Sequence, residues 1–296
     1  MEHIDLDVHS PEFLASLSLS FQNLLVQKRC NKKIRPTERP SEPGRSYGSS
    51  QACGWSLVLL MNLFIAFQMD GFWRLSLPWF ALQPLGSFIV KLGSVSLFIL
   101  IEFFYACASL VDPGSPGKKD VISDKSDRWC NYCMAPKPDR CHHCSTCRRC
   151  VLRMDHHCIF TNSCVGLRNQ PHFLVFVFLT MCGSGLSALA AAPQITAAMA
   201  LSGERTMRQV HLIGVCLSAA IASFLLWNLL LAQMHLLIRN ETTIESSKNW
   251  ADRCHSSYDR GVRENIAEVF GSNVAGCIPN SVFDIFDGLD QFLADS

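Results

Sequence analysis

Charge is scarce in this sequence. Asp, Glu, Lys and Arg make up 17% of its 296 residues against 49% hydrophobic, a balance that departs from an average soluble domain in the direction of a membrane protein. The formal net charge of +1 leaves no excess of cations to neutralise a run of phosphates, so nucleic acid is not an expected partner. The opening residues, MEHIDLDVHS, are acidic and lack the apolar run of a secretory signal. Without an export signal a disulfide framework is not expected, and the 15 cysteines read as reduced thiols or metal ligands. No SH3-like or ankyrin-like module and no KDEL-type ending specifies a partner or an organelle. No internal repeat of useful length stands out.

Long apolar runs are present instead. Ala52 to Met69, Phe88 to Val111, Phe173 to Ala192 and Leu212 to Leu231 each approach the roughly 20 residues that cross about 30 Å of hydrocarbon as a helix. The second contains Lys91, near enough to its start to snorkel, and Glu102, whose cost in lipid predicts that it faces the bundle. Seven Lys and Arg lie in the first fifty residues and ten between Val111 and Pro171, with few in residues 70–84 and 193–211. That bias predicts cytoplasmic termini and a cytoplasmic segment between spans two and three, with Trp73, Trp79 and Phe80 at the opposite interface.

Ahead of the first span, Ser10-Pro11-Glu12 starts an expected amphipathic helix with Phe13, Leu17, Phe21, Leu24 and Leu25 on one face. The basic residues from Lys28 to Arg35 suit an anionic leaflet, and packing of that helix on its own protein is the alternative. Pro36 to Ser50 reads as a linker. In the tail, Val282, Ile285, Phe286, Leu289, Phe292 and Leu293 recur at helical spacing among Asp284, Asp287 and Asp290, which predicts a helix docked on protein. The expected architecture is an α-helical polytopic membrane protein: four transmembrane helices with a cytoplasmic zinc-stapled cysteine-rich domain between spans two and three. Its regions are a partly disordered cytoplasmic part (1–51), spans one and two (52–111), the cysteine-rich domain (112–171), spans three and four (172–232) and a cytoplasmic C-terminal part (233–296).

The segment from Cys130 to Cys164 holds eight of the 15 cysteines and four of the ten histidines. Cys130 and Cys133 form one C-x2-C pair, Cys144 and Cys147 another, and Cys150 and Cys164 follow. With His143 and His157 these make two Cys3His sets, closed tetrahedral sites that hold backbone rather than activate water. Spacing does not choose between His142 and His143. A short polar segment without its own apolar core needs such staples to fold.

Cys141 and Cys158 are left over. Cys158 ends the run Asp155-His156-His157-Cys158. With His157 on a metal, His156 is free to take the thiol proton and Asp155 to orient the imidazole, which is the pattern of an activated nucleophile. A ninth ligand or an inert thiol are the other roles open to Cys158.

These residues resemble the cysteine-rich domain of the DHHC protein S-acyltransferases (palmitoyltransferases). The likeness rests on Cys130-x2-Cys133, Pro138-Asp139-Arg140, His143-Cys144-x2-Cys147-x2-Cys150, Asp155-His156-His157-Cys158, Asn162 and Cys164-Val165-Gly166-x2-Asn169. It extends to Asp112-Pro113-Gly114, Thr242-Thr243-x-Glu245 and Asn265. The resemblance implies a membrane enzyme in which Cys158 takes a long-chain acyl group, palmitoyl above all, from acyl-CoA and passes it to cysteines of membrane-associated proteins. It further implies His156 as general base, Asp155 as its orienting partner, and two structural zincs, one held by Cys130, Cys133, His143 and Cys150, the other by Cys144, Cys147, His157 and Cys164. Acyl-CoA, membrane-associated protein substrates and the lipid bilayer are the implied partners, and Golgi or endoplasmic reticulum the implied location. An acyl tail is expected in a cavity among the spans, where Gly183 and Gly185 either widen it or allow close helix packing. Arg148, Arg149, Arg153 and Arg168 are candidates to meet CoA phosphates, or else a solvated basic face. The family's usual Pro-Trp after the tetrad is replaced by Ile159-Phe160. A catalytically inactive DHHC-like scaffold or a zinc-binding membrane adaptor is therefore the alternative.

Overall fold

A computed structural model describes residues 47–77, 83–117, 128–200, 207–252 and 257–272. The expected helices at residues 13–25 and 282–293, the basic run 28–35, Trp79 and Phe80 lie outside them. Four long helices dominate: α1 (Tyr47–Gly71), continued by a π-helical turn over Phe72–Ser76, α2 (Pro84–Leu110), α3 (Gln170–Ala200) and α4 (Met207–Ile238). Each is long and apolar enough to cross a membrane, over residues 54–74, 84–110, 170–197 and 209–238.

The helices outrun the apolar windows because a helix does not stop where hydrophobicity does. It stops at a cap. α1 begins at Tyr47, inside the stretch that reads as linker. α2 starts on Pro84, whose missing N–H is an orphan at that position anyway. It ends before Asp112, which Pro113 pushes toward extended backbone. α4 runs on through Gln233 to Ile238 and closes at Asn240, a left-handed residue (φ 48°) whose neighbour Glu241 donates back to the Leu236 carbonyl. Pro193 sits inside α3, as membrane helices tolerate.

Two short helices follow, α5 (Thr243–Asp252) and α6 (Val262–Phe270). Thr242 and Glu245 form a capping box at the start of α5: the Glu245 N–H donates to Thr242 Oγ1 at 3.3 Å and the Thr242 N–H to Glu245 Oε2 at 2.9 Å. The main apolar cluster joins Phe98, Ile101 and Tyr105 of α2 to Phe173, Phe176 and Val177 of α3, Leu237 of α4 and Ile266 of α6. Glu102 is buried, as its cost in lipid requires.

Between α2 and α3 lie six short strands in three antiparallel hairpins: β1 (Trp129–Cys130) with β2 (Ala135–Pro136), β3 (His142–Cys144) with β4 (Arg149–Val151), and β5 (His156–Cys158) with β6 (Ser163–Val165). Their registers coincide at an offset of 14 residues: Cys130 faces Ala135, Cys144 faces Arg149 and Cys158 faces Ser163. Met134, Arg148 and Asn162, at the same offset, are all left-handed, with φ of 50°, 51° and 48°. A short structural repeat is therefore present where none stands out in the sequence. It escapes notice because only short pieces recur at that offset, His142-His143-Cys144 as His156-His157-Cys158 and Cys150-Val151 as Cys164-Val165, while most residues between them differ.

The hairpins are docked on the membrane helices by backbone. Leu152 donates to the Gly114 carbonyl and Arg168 to the Pro113 carbonyl. Gly166 lies so near that an added Cβ would sit 2.7 Å from Val151 Cγ1 and 3.0 Å from the Pro113 carbonyl oxygen. Asn169, fully buried, donates to the Ala108 and Cys164 carbonyls at 3.0 and 2.8 Å, tying the end of α2, the third hairpin and the start of α3 together.

Candidate functional site

The hairpins share their ligands in a staggered way. Cys130 and Cys133 of the first meet His143 and Cys150 of the second, and Cys144 and Cys147 of the second meet His157 and Cys164 of the third. In each set the four ligand atoms lie within 4.8 Å of one another. His143 Nδ1 is 3.6, 3.3 and 4.0 Å from the sulfurs of Cys130, Cys133 and Cys150. His157 Nδ1 is 3.7, 3.4 and 3.6 Å from those of Cys144, Cys147 and Cys164. His143 rather than His142 therefore joins the first set. Alternation along a strand is the reason: neighbours point to opposite faces, so only one of two adjacent histidines can reach a given site.

The same alternation separates His157 from the chemistry. His157 faces the second ligand set, while His156 and Cys158, two residues apart on β5, share the other face. His156 Nδ1 is 2.6 Å from Asp155 Oδ2, which leaves its other nitrogen for the Cys158 thiol on the same strand face. Burial alone would lower the imidazole's pKa, but its bonds to Asp155 and Cys158 reverse this and raise it to about 9. Burial would raise the Cys158 thiol, yet bonds from His156 and from the Thr161 N–H hold it below the usual thiol range. The Thr161 contact repeats the Cys133 and Cys147 N–H bonds to the sulfurs of Cys130 and Cys144, at 3.4 and 3.3 Å. Cys158 thus occupies the first position of a third C-x2-C-type turn, whose second cysteine is replaced by Thr161 and which, among the described residues, has no further hairpin to supply a histidine.

Asp155 is 1% exposed and fully engaged. Besides His156 it accepts from the Thr243 N–H at 2.7 Å, Thr243 Oγ1 at 3.0 Å and Gln233 Nε2 at 3.2 Å. Burial pushes the carboxyl up, but these donors and the imidazole hold it below the ordinary carboxylate range. In the sequence Gln233 shows only as an amide near the apolar end of α4. Thr243 appears there only as part of a motif.

Behind Thr243 stands a buried ionic cluster. Arg140 forks onto Glu245 at 2.8 and 2.7 Å and onto Asn240 at 2.9 and 2.8 Å, and reaches Glu268 at 3.1 Å. Arg153 joins from its own turn, bonded to Gln170 and Asn240 and paired with Glu268. That burial removes Arg153 from the candidates for CoA phosphates. Arg149 is paired with Asp112 at 2.9 Å. Asn265, buried, ties α6 to the end of α4 through the Ile238 carbonyl.

A cavity of about 500 Å³ runs among α1, α2 and α3, lined by Phe64, Met69, Val90, Leu97, Phe98, Ile101, Gly183 and Leu186 among others. Phe98 and Ile101 belong also to the apolar cluster that contains Cys158. From Ile101 to Val90 the cavity follows eleven residues of α2, about 16 Å at 1.5 Å per residue.

The family model described as DHHC palmitoyltransferase matches residues 123–250. Palmitoyltransferase ZDHHC15A of Danio rerio is 35% identical over 147 residues, 49% of this chain and 45% of the relative. Probable protein S-acyltransferase 12 of Arabidopsis thaliana is 36% identical over 151 residues, 50% of this chain and 51% of the relative. Probable protein S-acyltransferase 13 of the same plant is 31% identical over 208 residues, 60% of this chain and 67% of the relative. The chain spans about half the length of the first two.

Proposed function

From the premise that the chain belongs to the DHHC palmitoyltransferase family, we propose that it is a protein S-acyltransferase in which Cys158 is the nucleophile, His156 its base and Asp155 the group that orients the base. One observation carries the reading: a buried thiol outside both ligand sets lies two residues along the same strand face from an imidazole whose Nδ1 is held by a buried carboxylate.

In the first step the Cys158 thiolate attacks the carbonyl carbon of a long-chain acyl-CoA thioester. The new S–C bond forms as the bond to the CoA sulfur breaks, and the His156 imidazolium returns its proton to the departing CoA thiolate. In the second, a cysteine thiol of a membrane-associated protein gives its proton to His156 and attacks the acyl-enzyme, and Cys158 leaves as thiolate. Asp155, fixed by Thr243 and Gln233, keeps the imidazole turned toward the sulfur throughout. The cavity among the spans takes the acyl tail, each buried methylene contributing about 0.8 kcal/mol.

Zinc fits the two ligand sets. Bonds of about 2.3 Å to sulfur and 2.0–2.1 Å to nitrogen at tetrahedral angles imply S···N edges of about 3.6 Å, and the two sets offer 3.3 to 4.0 Å. Bound there, zinc supplies a closed crosslink between neighbouring hairpins and no open position for water. An even number of spans puts the regions before α1 and after α4 on one side. The basic residues around the hairpins make that side cytoplasmic, in an endomembrane such as Golgi or endoplasmic reticulum.

The test is incubation of purified protein with labelled palmitoyl-CoA. Hydroxylamine-sensitive label on the wild type and none on Cys158→Ser is expected. Equal label on both would remove Cys158 as the nucleophile, and an unlabelled, zinc-replete wild type would leave the scaffold reading.

A further inference from the structure

The third hairpin poses a mechanical problem that the first two do not. In those, the C-x2-C turn is pinned by both of its cysteines in one ligand set. The turn after Cys158 has no second cysteine and no such set, and it carries the one thiol whose position relative to His156 matters. Ile159 and Phe160 on this turn are 54% and 48% exposed, so their side chains do not anchor it within the fold.

Two membrane helices reach the turn instead. Tyr105 of α2 is fully buried and stacked at a tilt on Phe176, 4.8 Å between centroids, and its hydroxyl donates to the Phe160 carbonyl at 2.7 Å. Asn162, the left-handed residue that ends the turn, lies on Gly54 of α1 so closely that an added Cβ would sit 2.1 Å from its Oδ1. Within the turn Thr161 Oγ1 donates to the Cys158 carbonyl at 3.4 Å. The only contact among these made by a single rigid side chain from outside the hairpin is that of Tyr105.

We propose that Tyr105 is a positioning residue for acyl transfer: its hydroxyl fixes the Phe160 carbonyl and so holds the turn that seats Cys158 against His156, replacing the crosslink that pins the other two turns. This rests on the reading of Cys158 as the nucleophile. Losing the hydroxyl frees the backbone at Ile159 and Phe160 while leaving the ring in the apolar cluster, so Cys158 samples positions away from the imidazole. Binding of acyl-CoA is not altered.

The experiment uses the full chain in detergent and four forms: wild type, Tyr105→Phe, Ile159→Pro, and the two changes together. Proline fixes φ near −65°, and Ile159 is not among the residues with positive φ. It therefore stiffens the turn by a route independent of the hydroxyl. A displacement of about 1 Å at a reacting group costs up to about a hundredfold, so Tyr105→Phe is expected to slow self-acylation at saturating palmitoyl-CoA by about tenfold, with KM changed by less than about twofold. Zinc content should be unchanged, and adding Ile159→Pro should restore the rate to within about threefold of wild type. An unchanged rate in Tyr105→Phe would overturn the proposal, and so would a loss that proline does not restore, because a packing defect in the bundle has no reason to respond to the backbone of Ile159. Alkylation of Cys158 by iodoacetamide, followed on its peptide by mass spectrometry, is run on the same four forms. It needs no acyl-CoA, so a wild type that takes no label defeats the acyltransferase reading while the same fall and recovery in alkylation still decides the role of Tyr105.

Discussion

Replacing Arg140 by methionine removes the cation at the centre of the cluster behind the site while keeping a long apolar side chain. The guanidinium is largely buried, its side chain 8% exposed beside a Glu245 side chain at 15%, and it lies 4.3 Å from the Tyr258 ring centroid. Not every partner is orphaned by the change. Glu268 keeps Arg153 and Arg260, so the group left buried without its cation is Glu245. Removing one partner of a buried pair costs about 3–5 kcal/mol, and with a single carboxylate stranded the expectation is about 3 kcal/mol, or about 5–10 °C in melting temperature. Burial by itself would raise the Glu245 carboxyl, and the bonds and charge of Arg140 reverse this and hold it below the ordinary range. In the wild type this carboxylate therefore contributes stability that is present above its unfolded value of about 4.3 and lost as pH falls through the depressed one. In Arg140→Met the carboxyl rises above its unfolded value, so protonation relieves it and the gap to wild type narrows between pH 7 and 5. Adding Glu245→Gln should recover about 1 kcal/mol. Thermal melts of the detergent-solubilised wild type, single and double variants at both pH values check this. A single variant within about 1 kcal/mol of wild type, or a double variant less stable than the single, would refute the assignment of Glu245 as the stranded charge.

The pair Cys158 and His156 predicts a pH profile for self-acylation. With the thiol held below its ordinary range and the imidazole raised to about 9, the acid limb of the rate should lie below the ordinary range of a free thiol, and the rate should fall near pH 9 as the imidazolium that protonates the CoA thiolate is lost. Initial rates from pH 5 to 10 measure it. Thr243→Val removes the hydroxyl but not the N–H that Asp155 accepts, and should slow self-acylation by about tenfold, less than Asp155→Asn, which disturbs the imidazole tautomer as well. Elemental analysis should find two zincs per chain and one after Cys133→Ser, the first set alone being broken; a chelator that strips both should unfold the hairpins, read by protease sensitivity. Gly183→Leu intrudes on the cavity beside Ile101, whose Cδ1 is already 3.3 Å from the position of an added Cβ. Denying four methylenes burial costs about 3 kcal/mol, so labelling should shift from palmitoyl-CoA toward shorter acyl-CoA, measured by competition between the two.

The sequence by itself determined the elements that depend on composition and spacing. Four apolar runs and a Cys/His cluster between the second and third are local facts, because a span needs only length and hydrophobicity and a C-x2-C turn closes within its own residues. The likeness to a known family rests on the same local motifs. Tertiary structure decided which of two neighbouring histidines faces which site, since strand alternation sends His143 and His157 to the ligand sets and His156 to the thiol. It brought Gln233 and Thr243 to Asp155 from 78 and 88 positions away and assigned Arg153 to a buried cluster rather than to a phosphate. It also set Tyr105 of a membrane helix against the turn after Cys158. The contacts of Gln233, Thr243, Arg153 and Tyr105 are not written in a local pattern, because each depends on two distant elements arriving at one place. The cavity among the spans is decided in the same way, by the gap that packing leaves among helices whose apolar faces alone do not fix how closely they meet.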